Sequence, residues 1–162
     1  MHEPDPRRNV VSTSAARVAG SIPAVVCDRQ LSLTVEATDA SVPAARREVA
    51  AQLMLWGLSR HDRPVETALL VVSELVTNSV RHAAVLSPRV QVHVSLGIKE
   101  LTVAVHDRHP GLPRPAAVPH TDGSGAWGLR LVQGLASEAG GTTSIPLDPD
   151  GLGKTVTVRL PL

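Results

Sequence analysis

Hydrophobic and polar positions alternate along LSLTVEA, residues 31–37, which predicts a strand. Apolar residues then fall at helical spacing from Val42 through Ala45, Val49, Leu53 and Trp56, with Ser41 as the expected N-cap and Gly57 near the end. Pro64 suits the start of a second helix, and VETALLVVSELVTNSVRHAAV over 65–85 is the most strongly helical stretch of the chain. Its stripe runs Leu69, Val72, Leu75, Val76, Val80, Ala83. Val90, Val92, Val94 and Leu96 alternate before a short turn at Gly97-Ile98-Lys99, and Leu101, Val103 and Val105 alternate after it, which predicts a hairpin. Residues 108–124 show no period and are rich in Pro, His and Gly, the composition of a functional or disordered loop. GAWGLRLVQGLASEAG predicts a third helix, and TTSIPLD and KTVTVRLPL two closing strands around the turn DPDGLG. The order β-α-α-β-β-loop-α-β-β implies an α/β sandwich (α+β): a mixed, mostly antiparallel sheet with three helices on one face.

Length and composition narrow this picture. A chain of 162 residues is expected to hold one domain. Residues 1–28, with scattered Pro, Ser and Ala and little periodicity, are expected to be a flexible leader to a domain over 29–162. The chain has no Phe or Tyr, so the core must be aliphatic, and aromatic base-stacking surfaces are disfavoured. A net charge of +1 gives no sign of a polyanion-binding surface, so no direct nucleic-acid partner is expected. The single cysteine, Cys27, excludes an intramolecular disulfide and a Cys-based zinc site. No apolar run approaches a membrane span, and the basic N-terminus lacks the apolar core of a signal peptide. A soluble cytoplasmic protein is the expectation.

Three places carry candidate chemistry. On the second helix Glu74 and Asn78 are four residues apart, about 40° around the axis, and His82 extends the line. A carboxylate and a carboxamide on one side suit Mg2+, the amide oxygen as ligand and the carboxylate polarising a water. They equally make a solvated i,i+4 pair adding roughly 0.2–0.5 kcal/mol. Asp107 ends an apolar strand, where a carboxylate can accept from an exocyclic amine such as adenine's, with Gly111 letting the chain pass a flat ring. The same residue could simply open an Asx-turn. Gly123, Gly125 and Gly128 crowd ahead of a helix that starts at Leu129, a place where amides and the helix dipole favour an anion, or where glycines only satisfy turn geometry.

Two familiar phosphate motifs fail on context. GSGAWG fits G-x-G-x-x-G, but no strand immediately precedes it and too little chain follows for a dinucleotide fold. Gly153-Lys154-Thr155 lacks the upstream P-loop glycine, Asp148 standing there, and is followed by β-branched residues. It reads as a turn into a strand.

Together, SELVTNSVRHA, DRHPGLP and GSGAWGLRLV resemble the N box and the two glycine boxes of the GHKL ATPases, which include gyrase, Hsp90, histidine-kinase catalytic domains and MutL. Within that superfamily the chain is most similar to the anti-sigma-factor branch of serine/threonine-kinase-like regulators with a short ATP lid, over roughly residues 40–160. The resemblance implies the histidine-kinase-like ATPase fold, with ATP and Mg2+ as cofactors. It implies Glu74 as general base and Asn78 as the Mg2+ ligand, with Arg81 and His82 near phosphate. It implies Asp107 as reader of the adenine amine, Gly111 in the first glycine box, Gly123, Gly125, Gly128 and Leu129 beside the phosphates, and Thr155 near the adenine pocket. The implied function is an anti-sigma-factor-type serine/threonine-protein kinase that binds a sigma factor and phosphorylates an anti-anti-sigma (STAS-type) antagonist. The alternative is a nucleotide-binding interaction module without phosphoryl transfer, and homodimerisation is left open. The sequence departs from the pattern at Ala126-Trp127, where Gly-Arg or Arg is commoner, at Ala139-Gly140 and at Thr157.

Overall fold

Valine and leucine at every second position make β2 (Arg89–Leu96) and β3 (Glu100–Asp107) a hairpin that is buried on one side only. The computed structural model describes residues 29–109 and 127–162. Gly111, Gly123, Gly125 and the expected leader 1–28 lie outside them. β1 (Arg29–Glu36) pairs with β2, and β5 (Lys154–Pro161) pairs with β3 and with the short β4 (Thr142–Ser144). The sheet order is β1-β2-β3-β5-β4. Among the described residues all four pairings are antiparallel, so the sheet they form is antiparallel rather than mixed.

The three helices α1 (Ser41–Leu55), α2 (Arg63–Ala83) and α3 (Trp127–Glu138) cover one face. α2 lies centrally over β2, β3 and β5, with α1 beside it above β1 and α3 beside it above β4 and β5. Val65, Val71, Val72 and Val76 of α2 are fully buried against Val92, Val103 and Val158 of the sheet. The core is aliphatic, with Trp56 packed at its margin. The outer face carries short polar side chains at the alternate positions, among them Ser32, His93, Thr102 and Thr157.

Two local expectations need correction. Ser41 is the first helical residue rather than the cap. Ala40 precedes it with helical dihedrals, and the Ser41 hydroxyl pairs with Thr38 Oγ1 at 3.0 Å. TTSIPLD forms only a three-residue strand, because Pro146 has no N–H to give the ladder and the chain leaves after Ser144. Pairing resumes once at Leu147 and Lys154. At the end of α1, Gly57 takes φ 90°, and Leu58 N–H donates to Leu53 O while Gly57 N–H donates to Met54 O. This Schellman closure ends the helix where the sequence placed a glycine.

Candidate functional site

The polar side chains of α2 divide between two neighbours. Ser79 lies 100° around the helix from Asn78 and turns towards the sheet. The residue is 2% exposed, and its hydroxyl donates to Asp107 Oδ2 at 2.8 Å and also reaches Leu75 O at 3.2 Å. Asn78, half-buried, turns towards α3 instead. A Cβ added to Gly128 would stand 2.5 Å from Asn78 Oδ1 and 2.9 Å from Cγ, so only glycine lets the first turn of α3 come this close. The N box and the second glycine box, distant in sequence, therefore meet across the α2–α3 contact. Glu74, one turn before Asn78, is half-buried, whereas Arg81 and His82 in the last turn are exposed.

Among the described residues α3 runs from Trp127. Leu129 lies within it, 8% exposed and part of the core. At a helix start backbone amides favour an anion.

Asp107 ends β3 with its side chain on the helix-covered face, 6% exposed. Lys154, opposite it in the β3–β5 register and 7% exposed, donates to Asp107 Oδ1 at 2.8 Å and to His109 O at 3.3 Å. The His109 amide donates to the same carboxylate oxygen at 3.1 Å. Asp107 thus does open a turn, as an Asx residue should, while also receiving a helix hydroxyl and a buried ammonium. Thr155 does not join this group. It pairs with His106, and the strand alternation puts it on the outer face, away from Asp107.

Beyond Asp107 the β4–β5 turn is clamped to the end of β3. His106 Nε2 stands 2.9 Å from Asp148 Oδ2, and Arg108 Nη1 lies 3.1 Å from Asp150 Oδ2. The Leu152 amide, ahead of the Arg108 guanidinium, holds the Asp150 carboxyl below its ordinary range.

Sequence reading missed Ser79 and Lys154. Both left a signal: each occupies a position of an otherwise apolar stripe, Leu75-Ser79-Ala83 on α2 and Lys154-Val156-Val158-Leu160 on β5. A polar residue on a buried face needs a partner there.

These residues fit a magnesium-bound nucleotide. One amide oxygen with a nearby carboxylate is the sparse donor set that Mg2+ accepts when phosphates and water supply the rest. Among the described residues no three His, Cys, Asp or Glu side chains form a metal cage. No helix among them is long and apolar enough to cross a membrane.

A family model, histidine kinase-, DNA gyrase B- and HSP90-like ATPase, matches residues 65–162. The chain belongs to that family. The match starts on α2 and runs through every residue of the site just described. No curated protein matches the sequence. Among solved structures, the chain is similar to the RsbU and RsbW domains of Rv1364c from Mycobacterium tuberculosis, with a TM-score of 0.56 and 21% identity. That likeness, one of fold, covers 82% of this chain and 33% of the other, so this chain spans about a third of its neighbour. The histidine kinase domain of the blue-light activated histidine kinase from Erythrobacter litoralis gives a TM-score of 0.46 at 28% identity, over 62% of this chain and 45% of that one.

Proposed function

We propose that this chain is an ATP-binding regulator of the anti-sigma-factor type, which holds a sigma factor and phosphorylates a serine or threonine of a STAS-type antagonist. The observation that carries the reading is the approach of Asn78 to Gly128, which brings a cation-liking amide to the amides of a helix start. Asn78 would hold Mg2+, with Arg81 and His82 beside it, and the first turn of α3 would receive phosphate. Bound Mg2+ would supply charge neutralisation to the phosphates. Asp107 would read the adenine amine at its buried carboxylate. Glu74 would take the proton of the attacking hydroxyl, its half-buried place one turn from Asn78 keeping it near the reacting end.

The likeness in fold to the RsbU and RsbW domains of Rv1364c supports this reading. A second reading, a nucleotide-binding module without transfer, draws on Ala126-Trp127, which removes a basic group expected beside the phosphates.

Glu74→Ala separates the two. With labelled ATP and the antagonist proteins of the same genome, the natural protein should transfer phosphate. The variant should lose at least about a hundredfold in transfer rate, with its ATP affinity within about threefold. An unaltered protein that binds ATP but labels no antagonist would leave the binding module as the better description. Transfer that survives Glu74→Ala undiminished would remove Glu74 as the base.

A further inference from the structure

Lys154 is a buried lysine for which a purely structural role is a poor account. A buried ion pair returns little stability over apolar side chains of similar size, because both charges must be taken out of water. β5 is otherwise apolar on this face, with Val156, Val158 and Leu160 buried below the lysine. A leucine or methionine there, opposite a small residue in place of Asp107, would close the same end of the sheet.

Hydrogen-bond capacity shows what the pair retains. Of the ammonium's three donors, two are spent among the described residues, on Asp107 Oδ1 and His109 O. Among the described residues the carboxylate accepts from Lys154 and His109 at Oδ1 and from Ser79 at Oδ2. Of its roughly four lone-pair sites, one stays open, on Oδ2. Among the described residues one acceptor of the carboxylate and one donor of the ammonium therefore remain, on two groups held together by their 2.8 Å contact, by the β3–β5 register and by the Ser79 bond.

We infer that Lys154 is a specificity-determining residue of the base pocket, donating to adenine N1 while Asp107 accepts from the neighbouring 6-amino group. This rests on the ATP-binding reading above. The exocyclic amine is a donor flanked by ring acceptors. N1 lies at the end of the base away from the sugar, whereas N7 lies on the sugar-bearing ring. Side chains as deeply set as Asp107 and Lys154 meet the far end first. A carboxylate alone would read the amine and ignore the ring nitrogen. The added ammonium makes the pocket read both atoms.

A cycle of two proteins and three nucleotides tests this. The natural protein and Lys154→Met are titrated calorimetrically with ATP, 1-deaza-ATP, which keeps the amine and replaces N1 by CH, and 7-deaza-ATP. The natural protein should bind 1-deaza-ATP at least about tenfold more weakly than ATP, the loss typical of one charge-assisted hydrogen bond, and 7-deaza-ATP as tightly as ATP. Lys154→Met should bind ATP and 1-deaza-ATP equally. Equal affinity of the natural protein for ATP and 1-deaza-ATP overturns the assignment whether or not the variant folds. A tenfold loss that persists in Lys154→Met, or in Lys154→Gln if the methionine variant unfolds, assigns N1 to another donor and also overturns it. A loss seen with 7-deaza-ATP instead places the wrong edge of the base in the pocket. A natural protein that binds none of the three removes the nucleotide reading itself, an outcome distinct from all of these.

Discussion

Asp107→Ala should cost the protein both its nucleotide and a large part of its stability. The substitution leaves the ammonium of Lys154, a residue 7% exposed, without its counter-charge and takes from the buried Ser79 hydroxyl the nearer of its two acceptors, the other being Leu75 O. Breaking one side of a buried pair typically destabilises by about 3–5 kcal/mol. For a domain of this size that is a fall in melting temperature of roughly 6–20 °C. ATP binding measured by calorimetry on the folded variant should drop below detection. Asp107→Asn keeps the shape and an acceptor oxygen but discards the charge. It should recover part of the folding loss and little of the affinity, because the amide nitrogen now competes with Lys154 for the same space. An Asp107→Ala protein that melts with the natural one and binds ATP equally well would show that this carboxylate serves neither purpose.

Gly128→Ala should separate folding from binding. A Cβ there runs into the amide end of Asn78, and that end belongs to a side chain able to swing aside. The fold therefore gives way cheaply, and alanine also favours helix over glycine by up to about 1 kcal/mol. The melting temperature should stay within a few degrees. The Asn78 amide, however, cannot stay where it is. If it holds Mg2+, affinity for ATP in the presence of Mg2+ should fall at least about tenfold, a loss of one charge-assisted interaction. Asn78→Ala alone should fall as far, and the double variant no further than either single one, because both changes remove the same contact. Additive losses would mean that Gly128 and Asn78 act separately.

The fold could be read from the sequence because period was unambiguous where it mattered. Val90 to Leu96 and Leu101 to Val105 each alternate without a break on either side of the turn, and Leu69, Val72, Leu75 and Val76 of the α2 stripe are buried. Shortfalls came where a backbone detail overruled the pattern. Pro146 cut TTSIPLD to three residues, and helical dihedrals at Ala40 moved the cap away from Ser41. The site was only partly legible. Glu74 and Asn78 share a helix, so their proximity follows from spacing alone. The meeting of Asn78 with Gly128 depends on how α2 and α3 pack, which no local period encodes, and only resemblance to the ATPase boxes pointed there. Lys154 is hidden in the sequence because Gly153-Lys154-Thr155 reads as a turn entering a strand, which is also what it is. Strand alternation assigns Thr155 to the outer face and Lys154 to the inner one.

That alternation also protects the Asp107–Lys154 pair from drift. Sliding β5 by one residue against β3 would put Thr155 beside Asp107 and eject the lysine, but it would drag Val156, Val158 and Leu160 out to solvent as well. Insertions and deletions between Leu147 and Gly153 must therefore bulge outward within the connection, leaving the strand beyond it in place. Length polymorphism in that connection should be tolerated among homologues without changing which side chain faces the carboxylate, since the greasy half of the strand proofreads the polar end.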